Sequence, residues 1–410
     1  MEQKKKAAFI TLGCKVNIAE TEGMKRLFKE AGYTVVEDHE YADVYIVNTC
    51  TVTSMGDKKS RQMLRRAHTL NPNAIIAAVG CFAQVAPDEV AKIEGVNLVI
   101  GNNMKHDIVE LVGSLKPGER KRYVKERKAL SGFEELPIET YRGHTRAFLK
   151  IQDGCDQFCS YCIIPYARGP VRSRETADIM KEAGRFARKG FKEIVLTGIH
   201  LTSFGNRENG TGLAELIREI QKIEGIERIR LGSLEPMFLT KEFIEGIKAL
   251  PKLCPHFHLS LQSGCGDTLK RMNRRYTPEE YRTIVEALRE HIADVNITTD
   301  VMVGFPGETD EEFQESYDFC KEMGFLWMHV FKYSPRKGTP AARFPGQVDG
   351  GVKELRSKKM IGLAEQMRKQ AYESFSGREM KVLLEQPAED GPGYMEGHTS
   401  NYLPVNIRTD

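Results

Sequence analysis

Apolar positions along the chain come in short runs of strand length, separated by longer stretches of helical spacing. In the first part Ala7–Leu12, Asp43–Asn48 and Ala74–Val79 are strand-like, while the stretch near Glu20–Ala31 and the basic stretch Lys58–Thr69 are helix-like. A helix opens at Pro87, where a first turn accepts proline. Leu98–Ile100 and His106–Val112 complete the series. Such alternation predicts a parallel sheet covered by helices. A second series begins at Arg146. Its strands are expected at Phe148–Gln152, Glu193–Thr197, Arg228–Ser233, His256–Gln262, Asn296–Val303 and Met328–Tyr333. Helical stretches lie between them at Thr176–Lys189, Leu213–Glu224, Thr240–Leu250, Glu279–His291 and Asp310–Met323. Six β/α units in series predict a partial (β/α)6 barrel rather than an open sheet. Val352–Phe375 reads as a basic helix, and REMKVLLEQ and YLPVNIRTD beyond Gly377 as a short β tail.

Lys116–Arg142 is polar, without a sustained apolar period, and is expected as a solvated linker. Its sharper reading is an electrostatic contact to a polyanion through the basic cluster Arg120–Lys128. The predicted organisation is α/β: a parallel-sheet domain over 1–115, a linker over 116–143, the partial barrel over 144–376 and a β segment over 377–410.

Composition narrows the class. At 410 residues, with 40% hydrophobic and 29% charged positions, the chain is a globular protein of more than one domain. Its net charge of +3 excludes a polybasic protein, so a nucleic-acid partner must be met by local patches. The longest apolar run, Ala74–Ala86, is short of the roughly 18 residues of a membrane helix. The start MEQKKKAAFITLGC imitates a signal peptide, but its apolar part is below the roughly 7–15 residues required. A cytoplasmic protein with no membrane partner is expected. Nine cysteines, an odd count, argue against a disulfide framework.

The positions of those cysteines carry the chemistry. Cys155, Cys159 and Cys162 fall within eight residues, just after the first strand of the second series. Three soft thiolates on one loop select zinc, copper(I) or an iron–sulfur cluster. Structural zinc would want a nearby fourth ligand, and neither His144 nor His200 has finger-like spacing. On a four-iron cluster, three cysteines leave one iron open. Cys14, Cys50 and Cys81 each follow a strand of the first series. Parallel strands end on one sheet edge, where ligands bind, so these three are expected to meet, among Asn17, Asn48, Thr49 and Thr51. Cys254, Cys265 and Cys320 read as packed thiols. At the strand ends of the barrel, polar residues and glycines gather where apolar runs stop: Gly198 with His200, Ser233 with Glu235, Gln262, and Asp300 before Gly304–Gly307. Arg274 and Arg275 could meet a carboxylate or phosphate.

Cys155-x3-Cys159-x2-Cys162 at the head of a six-unit β/α series resembles the radical S-adenosylmethionine superfamily, and the three upstream cysteines in their own domain resemble its methylthiotransferases. Residues from Gly377 resemble the start of a TRAM domain, which would be longer when complete. Thr11-Leu12-Gly13-Cys14-Lys15-Val16-Asn17, Asn48–Thr53 and Gly154–Pro165 resemble the branch acting on threonylcarbamoyladenosine in tRNA. The alternatives are the branches acting on isopentenyladenosine in tRNA or on a ribosomal-protein aspartate, and, from another class, a non-enzymatic metal-cluster protein that binds RNA.

The resemblance implies two [4Fe-4S] clusters, one on Cys155, Cys159 and Cys162, the other on Cys14, Cys50 and Cys81. It implies S-adenosylmethionine on the open iron of the first, held by Gly198, Ser233, Glu235, Gln262, Arg274 and Asp300. One-electron cleavage of that cofactor would supply a 5′-deoxyadenosyl radical. The second cluster would bear a sulfur methylated by another S-adenosylmethionine, and the methylthio group would join C2 of the base. Both sets of strand ends should then point into one cleft. An external one-electron donor, a sulfur donor and a tRNA anticodon stem-loop are the implied partners. Lys58, Lys59, Arg61, Arg65, Arg66, the Arg120–Lys128 cluster and the helix near Lys353–Lys369 are the expected phosphate contacts.

Overall fold

In a computed structural model that describes residues 4–141, 143–205, 212–389 and 393–409, the first series forms one parallel sheet. Its strands are β1 (Lys6–Thr11), β2 (Thr34–Val36), β3 (Val44–Thr49), β4 (Ile75–Gly80), β5 (Val96–Ile100) and β6 (Lys121–Tyr123), in the order β2-β1-β3-β4-β5-β6. The central strands are buried on both faces, which is why they read as unbroken apolar runs. Two apolar clusters, one around Tyr45, Leu64 and Phe82 and one around Phe9, Phe28 and Leu98, cover the sheet. The order reverses between β1 and β3, the point at which ligands bind in open parallel sheets.

Two features depart from the sequence expectation. The helix expected near Glu20–Ala31 runs over Lys15–Glu30. Its first turns bury the polar residues Asn17 and Glu20, so the hydrophobic period could not reveal its start. The segment expected as a solvated linker is built into the fold. It supplies β6 and buries Leu130, Leu136, Ile138 and Tyr141. A three-residue edge strand of sequence KRY carries no apolar signal, and charge is what edge strands usually display.

The second series forms the six-stranded partial barrel. Its staves are β7 (Arg146–Lys150), β10 (Glu193–Thr197), β11 (Arg228–Leu231) running on into β12 (Ser233–Leu234), β13 (His256–Leu259), β14 (Asn296–Val303) and β15 (Trp327–Lys332). Neighbouring staves pair in parallel. A small antiparallel ladder of β8 (Gln152–Asp153) and β9 (Arg172–Ser173) closes the loop after β7. Two helices open with complete capping boxes, at Thr277/Glu280 and at Thr309/Glu312.

The tail contains β16 (Val382–Pro387), β17 (Tyr394–Thr399) and β18 (Pro404–Arg408) as an antiparallel sheet. The middle strand was not evident from sequence, because its Gly and His residues carry little β propensity. The tail sits against the amino ends of the staves. Arg228 donates to the His398 and Lys381 carbonyls, Asn296 to the Asn401 carbonyl and Arg146 to Glu385. Tyr402 is the plug. Its ring stacks on His256 at 4.4 Å and on His398 at 4.7 Å, and the Arg230 guanidinium lies 4.8 Å from its centre.

Burial first, then Arg230, His258, Lys15 and His398, hold the His256 imidazole well below its usual value of 6.5, so it stays neutral in the folded chain. The unfolded chain takes up that proton as pH falls through 6.5 and the folded chain does not, so stability is lost on acidification. Thermal unfolding should therefore begin to shift downward between about pH 7 and about pH 5.5, and His256→Asn should flatten that dependence. An unchanged slope in the variant would remove His256 as the cause.

Candidate active site

Cys14, Cys50 and Cys81 converge at the carboxyl edge of the first sheet. Cys14 occupies the N-cap of the helix Lys15–Glu30, Cys50 follows β3, and Cys81 opens a short helix after β4. Gly13, at φ +97°, lets Cys50 in: a side chain there would place its Cβ 2.9 Å from both Cβ and Sγ of Cys50. The polar residues singled out in the sequence tie the three turns together. The Asn17 amide donates to the Leu12 carbonyl at 2.6 Å and the Thr49 carbonyl at 3.1 Å. Asn48 donates to the Asn17 carbonyl, Thr49 to the Val79 carbonyl, and Thr51 to Asp57.

Cys155, Cys159 and Cys162 lie on the loop that β8 and β9 close. Gly154, at φ +75°, passes so near the Pro170 carbonyl that a Cβ would stand 1.8 Å from its oxygen. The loop is pinned by Cys155 N to the Gly169 carbonyl at 3.0 Å, Ser160 N to the Met272 carbonyl at 2.9 Å, and Arg127 to Asp156 at 2.8 Å. Burial, then the neighbouring sulfur of Cys159, pushes the Cys155 thiol up to about 12. Burial and the same sulfur push Cys162 up to about 12. As thiols Cys155 and Cys162 are thus poor acids, and metal binding would take the place of their protons. Among the described residues no three His, Cys, Asp or Glu side chains are gathered around a single ion position. Three soft thiolates on one loop are the donor set of an iron–sulfur cluster that leaves one iron open. Cys254, Cys265 and Cys320 are buried, apart from both sets of hydrogen-bonded loops.

Sequence reasoning missed what joins the two sets. Arg168, at the end of the helix Ile164–Arg168 that follows Cys162, is fully buried. Its Nε donates to Cys81 Sγ at 3.2 Å, one terminal nitrogen to Asn17 Oδ1, and the other to Glu20 and, at 3.4 Å, to Asp153. Glu20 also meets Lys150 at 2.8 Å and Lys105 at 3.2 Å. Burial would raise the Glu20 carboxyl, but Arg168, Lys105 and Lys150 together hold it well below its usual range. No spacing in the sequence announces this cluster, since Glu20 and Arg168 stand 148 residues apart.

The six cofactor-pocket candidates separate into three pairs. Glu235 and Arg274 pair at 2.6 Å, and another Arg274 nitrogen lies 3.5 Å from Cys159 Sγ, beside the second loop. Ser233 and Asp300 line a cavity of about 780 Å³ in the barrel lumen. Gly198 and Gln262 act through backbone and packing. Gly198 lies against Gln152, which donates to the Asp153 and Gly154 carbonyls. Gln262, at φ +66°, bridges β14 through the Asp300 carbonyl and the Met302 amide. His200 is buried, with its Nε2 3.3 Å from Gln157 Nε2. Of the six cysteines, Cys14 borders the cavity directly, and Trp327, His329 and Phe331, on one face of β15, line it as well. The second loop is reached from Ser233 through Glu235 and Arg274. Many of the expected phosphate contacts are paired within the protein, as Arg61 with Glu89, Arg66 with Asp38, Arg122 with Asp88 and Arg127 with Asp156.

Removing Arg168 takes one of the three cations from Glu20 and leaves Lys150 and Lys105 to hold the buried carboxylates. Arg168→Met should cost about 3–5 kcal/mol in chemical denaturation, and adding Glu20→Gln should recover part of it. A loss under about 1 kcal/mol would show that the cluster is dispensable to the fold.

Residues 149–320 match the Radical SAM superfamily, and residues 6–101 match Uncharacterized protein family UPF0004. The chain is 42% identical to the Bacillus subtilis (strain 168) protein named Threonylcarbamoyladenosine tRNA methylthiotransferase MtaB, over 97% of this chain and 89% of that one. It is 42% identical to the Aquifex aeolicus protein of the same name, over 92% of each. A Clostridium tetani protein named tRNA-2-methylthio-N(6)-dimethylallyladenosine synthase is 37% identical, over 97% of this chain and 89% of that one. In fold, the chain is similar to the radical S-adenosylmethionine methyltransferase TsrM from Kitasatospora setae with cobalamin and a [4Fe-4S] cluster bound. The TM-score is 0.60 at 15% identity, covering 83% of this chain and 77% of that one.

Proposed function

The chain belongs to the radical S-adenosylmethionine methylthiotransferases, and from that premise we propose that it adds a methylthio group to C2 of N6-threonylcarbamoyladenosine in a tRNA anticodon stem-loop, in the cytoplasm. The relatives named for this substrate are 42% identical, and one named for dimethylallyladenosine is 37% identical. The observation that carries the reading is the bracing of two three-cysteine loops against each other through a buried cluster centred on Arg168.

Cys155, Cys159 and Cys162 would hold one [4Fe-4S] cluster and Cys14, Cys50 and Cys81 another. Bound S-adenosylmethionine, on one-electron reduction, supplies a radical able to take hydrogen from an aromatic carbon that no side-chain base could deprotonate. The protein's part is placement. Arg168 donates to Cys81 Sγ and so fixes where that sulfur sits. Glu235 and Arg274 set the charge beside Cys159, and Arg274 is itself held by the Ser260 carbonyl at 3.0 Å. Ser233 and Asp300 offer hydroxyl and carboxylate oxygens on the barrel side of the cavity, and Gly198 and Gln262 hold the strand ends that carry them. The cavity itself is large enough for an unstacked nucleoside, which is how single-stranded RNA is read.

Cys14→Ala should keep reductive cleavage of S-adenosylmethionine and abolish methylthiolation of tRNA. Ala at Cys155, Cys159 and Cys162 together should abolish both and lower reconstituted iron from about eight to about four, by three-cysteine ligation at each site. Methylthiolation retained in a folded Cys14→Ala protein would sink this division of labour. Binding of tRNA should also weaken steeply with added salt.

A further inference from the structure

The charged groups on the wall of the lumen cavity are, with one exception, already engaged. Arg230 meets Glu193 at 2.7 Å, Asp300 meets His258 at 3.2 Å, His398 meets Glu385 at 3.0 Å, and Glu396 accepts from Gln386 at 3.1 Å. The exception is Lys15. It lines the cavity next to Cys14, and among the described residues its ammonium has neither a hydrogen-bond nor an ion-pair partner. The carboxylates among the described residues that line the cavity, Asp300 and Glu396, are taken up by His258 and Gln386, so neither is left for the ammonium. A cation left unpaired in a recess that also offers aromatic faces is arranged for a flat ligand carrying a negative group.

We propose that Lys15 is the specificity-determining residue of this enzyme, and that its ammonium pairs with the carboxylate on the N6 substituent of the substrate base. The assignment rests on the threonylcarbamoyladenosine reading and adds the residue that recognises it. The chemistry of the base supplies the register. C2 and the N6 substituent flank N1 on one edge of the purine, so a base that turns C2 towards Cys14 turns its N6 substituent towards the adjoining residue. A threonylcarbamoyl group brings a carboxylate to that place. A dimethylallyl group brings only apolar carbons and offers the ammonium no partner. Trp327, His329 and Phe331 provide the stacking surface.

The test uses the anaerobically reconstituted full chain and two synthetic anticodon stem-loops that differ only at the target base, one with threonylcarbamoyladenosine and one with dimethylallyladenosine. Affinity is read by fluorescence anisotropy, and kcat and KM are read separately by product formation. Wild type should bind the first RNA about tenfold or more tightly than the second, as expected for a hydrogen-bonded ion pair. Lys15→Met should bring the two affinities together and raise KM for the first RNA more than it lowers kcat, with iron content reporting that the variant has folded. Lys15→Arg, which keeps the charge, should restore most of the preference. A Lys15→Met protein that still prefers the threonylcarbamoyl RNA overturns the assignment while leaving the substrate reading intact. A wild-type protein that prefers the dimethylallyl RNA, or neither, overturns the substrate reading and the assignment with it.

Discussion

Arg168 is fully buried, and every polar atom it carries must be met by protein. It is met by Cys81, Asn17 and Glu20 from the first sheet and by Asp153 from the barrel. Those partners lie on the turns that present the two cysteine sets. Moving either domain by the length of a hydrogen bond would part Glu20 from Arg168 and Lys150 and leave it with Lys105 alone. That is a larger cost than most side-chain contacts can offset. Apolar contact crosses the same boundary at Ala19 and Ile18, and the charged cluster adds direction to it.

The same economy governs the cavity. Its aromatic wall belongs to β15, the last stave, whose inward residues Trp327, His329 and Phe331 stay uncovered because the barrel does not close. Its floor belongs to the tail, where Tyr402 fills the space between Arg230, His256 and His398. An open side for a large substrate and a filled end follow from one incomplete barrel. The parts that close it are a helix along β15, with Arg368 over Trp327 at 4.8 Å, and a three-stranded sheet beneath.

Much of this was legible in the chain. Both strand–helix series, the Glu193–Thr197 and Asn296–Val303 strands and the Asp310–Met323 helix stand where the apolar pattern placed them. The convergence of Cys14, Cys50 and Cys81 followed from strand ends sharing one sheet edge. The pattern failed where polar groups do the packing. Asn17 and Glu20 hid a helix start, the charged strand Lys121–Tyr123 was taken for linker, and the Tyr394–Thr399 strand was passed over as a turn. Among the cofactor-pocket candidates, residue type marks Glu235 and Arg274 as an acid and a base able to pair, whereas the backbone approaches at Gly198 and Gln262 are visible in no residue type.

By itself the amino-acid sequence determined which residues could ligate metal and which strand ends would carry them, because thiol spacing and hydrophobic period are local properties. Tertiary structure alone decided that Glu20 pairs with Arg168, that Tyr402 packs into the end of the barrel and that Lys15 has no partner among the described residues. Each of these depends on which charges and rings meet across more than a hundred residues. Electrostatic pairing depends on distance in space and carries no periodic trace along the chain.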